Sequence, residues 1–150
     1  MQKGGRLMIR RAEPPDLGAV LRIWLDANLD AHAFIPAEYW QGCRGLVQEM
    51  LPQAELYVHQ DPAGWIDGFL GLEGNYVAGL FVRQDARSRG VGRELLDCAK
   101  AHRTQLSLSV YRKNERAAAF YQREGFVVLA AGVDANTGEP EYTMTWNRLG

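Results

Sequence analysis

A chain of 150 residues is long enough for one domain with a real core, and 47% hydrophobic with 23% charged residues is the balance of a globular protein. A formal net charge of −1 excludes nucleic-acid binding by bulk electrostatics. Two cysteines, Cys43 and Cys98, form no CxxC pair, and His32, His59 and His102 are scattered, so neither a disulfide framework nor a metal is expected.

The first residues, MQKGGRLMIRR, hold no apolar segment of signal-peptide length. No run approaches the ~18 apolar residues of a membrane span. The expectation is a cytoplasmic protein, one domain over residues 1–150, with no membrane and no nucleic-acid partner.

Residues 7–12 read as a first strand. Residues 14–31 read as a helix. Leu17, Val20, Leu21, Trp24 and Asn28 follow helical spacing, and Pro14 and Pro15 sit at the start, where a missing N–H costs least. A weaker helix, interrupted by Gly42 and Gly45, is expected over 37–51. Strands follow at 55–60, 64–74 and 76–83, joined by short glycine-containing gaps that suggest antiparallel hairpins. A helix over 91–103 and a strand over 106–111 come next. A helix over 115–124 has Asn114 in front as its cap and Gly125 behind. Strands at 126–133 and 141–146 close the chain. The order β-α-α-β-β-β-α-β-α-β-β predicts an α/β (α+β) fold, a mixed sheet flanked by helices.

The stretch RSRGVGRELL, residues 87–96, places Gly90 and Gly92 among Arg87, Arg89 and Arg93 at the start of a helix. The first turn of a helix carries unpaired N–H groups and partial positive charge. Glycine lets a bulky anion approach that backbone, and arginine adds charge, so a phosphate or pyrophosphate is the natural guest. A loop with a solvated charged face fits the same residues. The stretch is not a P-loop, which needs GxxxxGK followed by Ser or Thr. Nor is it a dinucleotide fingerprint, because Arg93, Glu94 and Leu95 follow Gly92.

Two linked stretches make the reading specific. LFVRQDARSRGVGRELL followed by SVYRKNERAAAFYQREGF resembles the GNAT superfamily of acetyl-CoA-dependent N-acetyltransferases. The first matches that family's strand and Q/R-x-x-G-x-G/A turn through Arg87, Gly90 and Gly92. The second matches its strand, asparagine and helix ending in FYxxxGF through Asn114, Phe120, Tyr121, Gly125 and Phe126. WLDANLDAHAFIPAEYW further resembles a bacterial branch of small GNAT enzymes that includes protein-lysine acetyltransferases. The family implies a mostly antiparallel sheet of about seven strands with about four helices, splayed between strands 4 and 5.

The resemblance also implies roles by position. Backbone groups of Leu80, Phe81 and Val82 would hold the pantetheine arm and acetyl group. Backbone N–H groups of Ser88, Arg89, Gly90, Val91, Gly92 and Arg93 would hold the pyrophosphate, with Arg87 also assigned to cofactor binding and Ser88 standing where the family often has glycine. Gly79 is a candidate for the bulge that splays the fourth strand, or for mere close packing. Asn114 would touch the pantetheine, and a plain helix cap is compatible with that.

Acetyl transfer to an amine needs a proton removed, because a lysine amine with a pKa of about 10.4 is mostly protonated at neutral pH. Backbone N–H groups of Phe81 or Val82 would stabilise the oxyanion. Tyr121 matches the family's acid for the leaving thiolate; a core aromatic beside Phe120 is the other reading. Where several family members carry a glutamate base, this chain has Ser109. Glu73 is the substitute carboxylate, against the reading of a solvated hairpin residue, and a water relay is a second option. Asp26, Asp30 and Glu38 are candidates to attract a cationic amine, and Phe34, Tyr39 and Trp40 to wall its carbon chain; a surface helix and ordinary core aromatics are the better reading of each residue singly. The acceptor, small molecule or protein lysine, stays open. A non-catalytic CoA-binding sensor is the alternative, and an ATP module is a third reading that lacks an aspartate pattern for Mg²⁺.

Overall fold

The computed structural model describes residues 8–149. Leu7, the first residue of the expected opening strand, lies outside them. Seven strands form one sheet: β1 (Ile9–Arg11), β2 (Glu55–Gln60), β3 (Ile66–Glu73), β4 (Tyr76–Val82), β5 (Gln105–Tyr111), β6 (Val127–Val133) and β7 (Pro140–Asn147). The helices are α1 (Leu17–Ala31), α2 (Ala37–Met50), α3 (Val91–His102) and α4 (Glu115–Arg123). The order matches the expected one. Two boundaries differ in kind: Pro14–Asp16 is a 3-10 turn ahead of α1, and α2 runs unbroken through Gly42 and Gly45 into a second such turn at Leu51–Gln53.

The strands lie in the order β1-β2-β3-β4-β5-β7-β6. Every neighbouring pair is antiparallel except β4 and β5. Alternation along the strands assigns the two faces. Leu56, Val58 and Phe69 point to the side that packs on Val20, Leu21 and Ile23 of α1. Tyr57, Leu70 and Leu72 point to the other, where Leu95, Leu96 and Ala99 of α3 complete the larger core with Leu106, Leu108 and Met144. With both faces covered, β3 is buried without a break from Asp67 to Leu72 rather than on alternate residues.

Gly68 sets how closely α3 lies on the sheet. A Cβ there would come within 3.0 Å of Val91 Cγ1 and 3.1 Å of the Phe81 carbonyl oxygen. Beside this contact, His59 of β2 is buried and its Nδ1 lies 2.6 Å from Asp67 Oδ1, itself buried. His59 Nε2 faces Glu94 Oε2 of α3 at 3.6 Å, too long for a hydrogen bond. This pair and Gly68 together seat the first turn of α3.

Candidate active site

The site begins where β4 and β5 separate. They run parallel and share only the pair Tyr76↔Ser107, with Ser107 N donating to Asn75 O over 2.9 Å. On its other side β4 stays bound to β3, but Gly71 pairs with Gly79 and Leu72 with Val77, so Ala78 is an extra residue. A bulge of this kind bends and twists its strand. It turns β4 away from β5 and leaves the edge through Leu80, Phe81 and Val82 without a strand partner. A cleft of about 1150 Å³ opens there, lined by residues of β4, β5, α1, α3 and α4. Its volume lies just above the usual range of ligand pockets, roughly 300–1,000 Å³.

The start of α3 closes one end. Gly90 caps it with φ 83°, in the left-handed region, and a Cβ there would meet nothing within 4 Å. Glycine at this position therefore serves backbone shape and leaves open space above the first-turn N–H groups. Ser88 shares the left-handed conformation with φ 65°, where a side chain is disfavoured. A Cβ on Gly92 would lie 3.6 Å from Phe120 and 3.7 Å from Val82, narrowing the cleft without a clash. Arg87, Ser88, Gly90, Val91, Gly92 and Arg93 all line the cleft, and Arg89 does not. Arg87 is engaged with Asp30 of α1 at 2.8 Å, and Arg93 lies 3.7 Å from Glu124. With these two arginines facing carboxylates, the partial positive charge of the helix terminus is the other source of positive potential at this end of the cleft.

Tyr121 of α4 lines the same cleft, its ring packed edge-on against Phe120 and Phe126. Burial, and to a smaller degree Tyr76, hold its hydroxyl well above the ordinary tyrosine range, so it keeps its proton at neutral pH.

Asn114 caps α4, its Oδ1 accepting from Ala117 N over 3.3 Å. Its Nδ2 lies 3.0 Å from His32 Nε2. His32 Nδ1 lies 2.8 Å from Asn28 Oδ1, and Asn28 Nδ2 donates to Trp24 O over 2.9 Å. The directions follow from one another. The cap fixes the Asn114 amide, so Nδ2 donates and His32 Nε2 accepts; Asn28 Oδ1 accepts, so His32 Nδ1 carries the proton. Burial lowers the His32 pKa to about 4, and this arrangement is that of the neutral ring. Sequence reasoning missed this network. Its signal was Asn28, a polar residue on the apolar stripe of α1, with His32 one turn later.

His32 packs against Phe34, Trp40 and Tyr111. Of the expected acceptor residues, Asp30 and Trp40 line the cleft, whereas Phe34 and Tyr39 stack behind them on Tyr111 and Trp40, and Asp26 belongs to a smaller neighbouring pocket. Glu38 is exposed and outside the lining. The last hairpin adds Asp134 and Glu141, which sequence reasoning placed there only as a region. Glu73 is not brought to the cleft: it ends β3 at the exposed hairpin turn, paired in register with Tyr76. Ser109 does line the cleft. Among the described residues no group of three or more His, Cys, Asp or Glu is placed to hold a metal, and no helix is long and apolar enough to cross a membrane.

Residues 52–128 match the acetyltransferase (GNAT) domain family. The chain is 36% identical over 141 residues to peptidyl-lysine N-acetyltransferase YiaC of Escherichia coli, covering 93% of this chain and 96% of that protein. It is 32% identical over 134 residues to peptidyl-lysine N-acetyltransferase YjaB of the same organism, covering 89% and 91%. The solution structure of apo YjaB from Escherichia coli superposes with a TM-score of 0.83 at 31% identity, covering 92% of this chain and 95% of that one.

Proposed function

The chain belongs to the acetyltransferase (GNAT) family, whose members carry an acetyl group from acetyl-CoA to an amine, and we propose that its acceptor is a lysine side chain within a protein or peptide. One observation carries the reading: near full-length similarity to two peptidyl-lysine acetyltransferases coincides with a cleft whose far end is aromatic and acidic. Trp24, Trp40 and Tyr111 offer apolar surface for a methylene chain, and Asp134 and Glu141 offer charge for an ammonium.

The donor set fits acetyl-CoA. The open space above Gly90 and the N–H groups of the α3 first turn suit the pyrophosphate. The free edge of β4 suits the amides of pantetheine, which would add to it as a strand does. Ala78 and Gly79 bend that edge, and Leu80, Phe81 and Val82 supply the backbone groups nearest the acyl end. In this reading Asn114 acts through its cap and His32 rather than as a free amide.

Transfer is direct, with both substrates in the cleft. N–H groups at Phe81 or Val82 receive the developing oxyanion. Tyr121 protonates the departing thiolate, its raised pKa keeping the hydroxyl loaded until that charge appears. The absence of a transmembrane helix among the described residues fits a cytoplasmic setting, which we include in the proposal. Acetyl-CoA-dependent acetylation of lysine peptides, free lysine, a polyamine and peptide N-termini, read by mass spectrometry, tests it. Preference for the internal lysine supports the reading, and preference for the polyamine overturns it.

A further inference from the structure

The proton on the attacking nitrogen needs an acceptor, and five described carboxylates line the cleft. Asp30 is bound to Arg87 at 2.8 Å. Glu124 faces Arg93 at 3.7 Å. Glu115 is exposed to solvent in the first turn of α4. Asp134 accepts from the Tyr111 hydroxyl over 2.6 Å and from Asn136 N over 2.8 Å, and these bonds hold its carboxyl below the usual range despite burial. Glu141 has no cationic partner among the described residues.

The strand register places Glu141 where the chemistry wants a carboxylate. Ser109 of β5 pairs with Thr143 of β7, and Tyr111 pairs with Glu141. Directly opposed residues share a face, so Ser109, Tyr111, Thr143 and Glu141 lie together on the side opposite the buried Leu108, Val110 and Met144. Ser109 and Glu141 are therefore diagonal neighbours, with Cβ atoms about 7–8 Å apart or less, so a glutamate side chain on β7 can extend into the space beside Ser109. Both line the cleft that holds Tyr121.

We propose that Glu141 is the general base of the reaction, supplying from β7 the carboxylate that Ser109 does not supply from β5. The inference rests on the acetyl-transfer reading above. The bookkeeping is complete without another reactant. The substrate ammonium gives one proton to the Glu141 carboxylate, which passes it to solvent. The neutral nitrogen attacks the thioester carbonyl, the C–N bond forms and the C–S bond breaks. The second nitrogen proton replaces the one that Tyr121 gives to the thiolate. Burial and the charge of Asp134 raise the Glu141 pKa, which strengthens it as a base. The groups facing it are Tyr111 from β5 and Asp134 after β6; the nearby Lys113 ammonium is occupied by Glu139 at 3.2 Å.

The test is the pH profile of kcat/KM for a lysine peptide, in wild type and Glu141→Gln, with acetyl-CoA affinity and melting temperature measured on both. Turnover by wild type comes first: its absence with every amine overturns the acetyl-transfer reading and the role of Glu141 with it, whereas wild-type turnover with an unaffected variant overturns the role of Glu141 alone. The expected result for Glu141→Gln is a kcat loss of ~10²-fold or more at neutral pH. The loss narrows toward pH 10, where free amine accumulates, and the acid limb of wild type is lost. Acetyl-CoA affinity stays the same. An unchanged kcat and acid limb overturns the proposal, as does a rise confined to the peptide KM. If Glu141→Gln does not fold, Glu141→Asp serves: reduced kcat with the acid limb retained supports the role, and wild-type kcat overturns it.

Discussion

His32 Nε2 accepts a hydrogen bond from Asn114 Nδ2 over 3.0 Å, and this contact ties the end of α1 to the first turn of α4. One partner packs on Trp40, which lines the cleft, and the other caps the helix that carries Tyr121. The contact exists only for the neutral ring. A protonated Nε2 would face a donor, and rotating the Asn114 amide to accept would take its oxygen from Ala117 N. Unfolded, His32 binds a proton below about 6.5; folded, its pKa is about 4. Its contribution to stability is present in full above pH 6.5 and is lost as pH falls toward 4, at ~1.4 kcal/mol per pH unit. His32→Gln, which keeps a donor and an acceptor, is expected to be less stable than wild type at pH 7.5, with a gap that narrows toward pH 5. Urea midpoints at several pH values measure this, and a constant gap contradicts it.

Gly90 separates backbone shape from ligand contact. Its left-handed φ and empty surroundings mean that Gly90→Ala meets only the conformational cost, about 1–2 kcal/mol. Gly90→Glu adds bulk and negative charge at the α3 terminus and is expected to abolish acetyl-CoA binding with a similar loss of stability. Calorimetric titration of both variants is the check. Unchanged affinity in folded Gly90→Glu would place the pyrophosphate elsewhere.

The His59–Asp67 pair is buried on both sides, with side chains only 4% and 6% exposed. Removing the ring leaves the Asp67 carboxylate buried without its partner. His59→Ala is therefore expected to lower stability by about 3–5 kcal/mol. Glu94 lies farther away and is 47% exposed, so Glu94→Gln is expected to change stability by less than about 1 kcal/mol. Denaturant unfolding of the two variants compares them directly, and equal losses would contradict this ranking.

What was legible in the sequence was local. Asn114 announces a helix start because the cap and the N–H that donates to it are three residues apart, and Asn114 Oδ1 does accept from Ala117 N. Gly90 and Gly92 mark the α3 terminus because backbone shape is written at the residue itself. Arg87, Gly90 and Gly92 of the first motif and Asn114, Phe120 and Tyr121 of the second line one cleft, whereas Arg89, Gly125 and Phe126 do not. Contacts between distant segments were not legible. Asp30 claims Arg87, Asn114 meets His32, and Glu141 becomes a neighbour of Ser109 only once β7 pairs with β5. Glu73 read as a base because it stands next to the fourth strand in the chain, but the hairpin turn carries it away from the cleft.

Steady-state turnover of acetyl-CoA by Tyr121→Phe, with thiol release read against a lysine peptide, bears most directly on the catalytic cleft. Phenylalanine keeps the ring that packs on Phe120 and Phe126 and removes the hydroxyl. Loss of a general acid predicts a kcat lower by ~10²–10⁴-fold. Acetyl-CoA should still raise the melting temperature of the variant as it does that of wild type, and more than ATP does, because its site is present only in the folded state. Full turnover by Tyr121→Phe would contradict the assignment and return Tyr121 to a packing role.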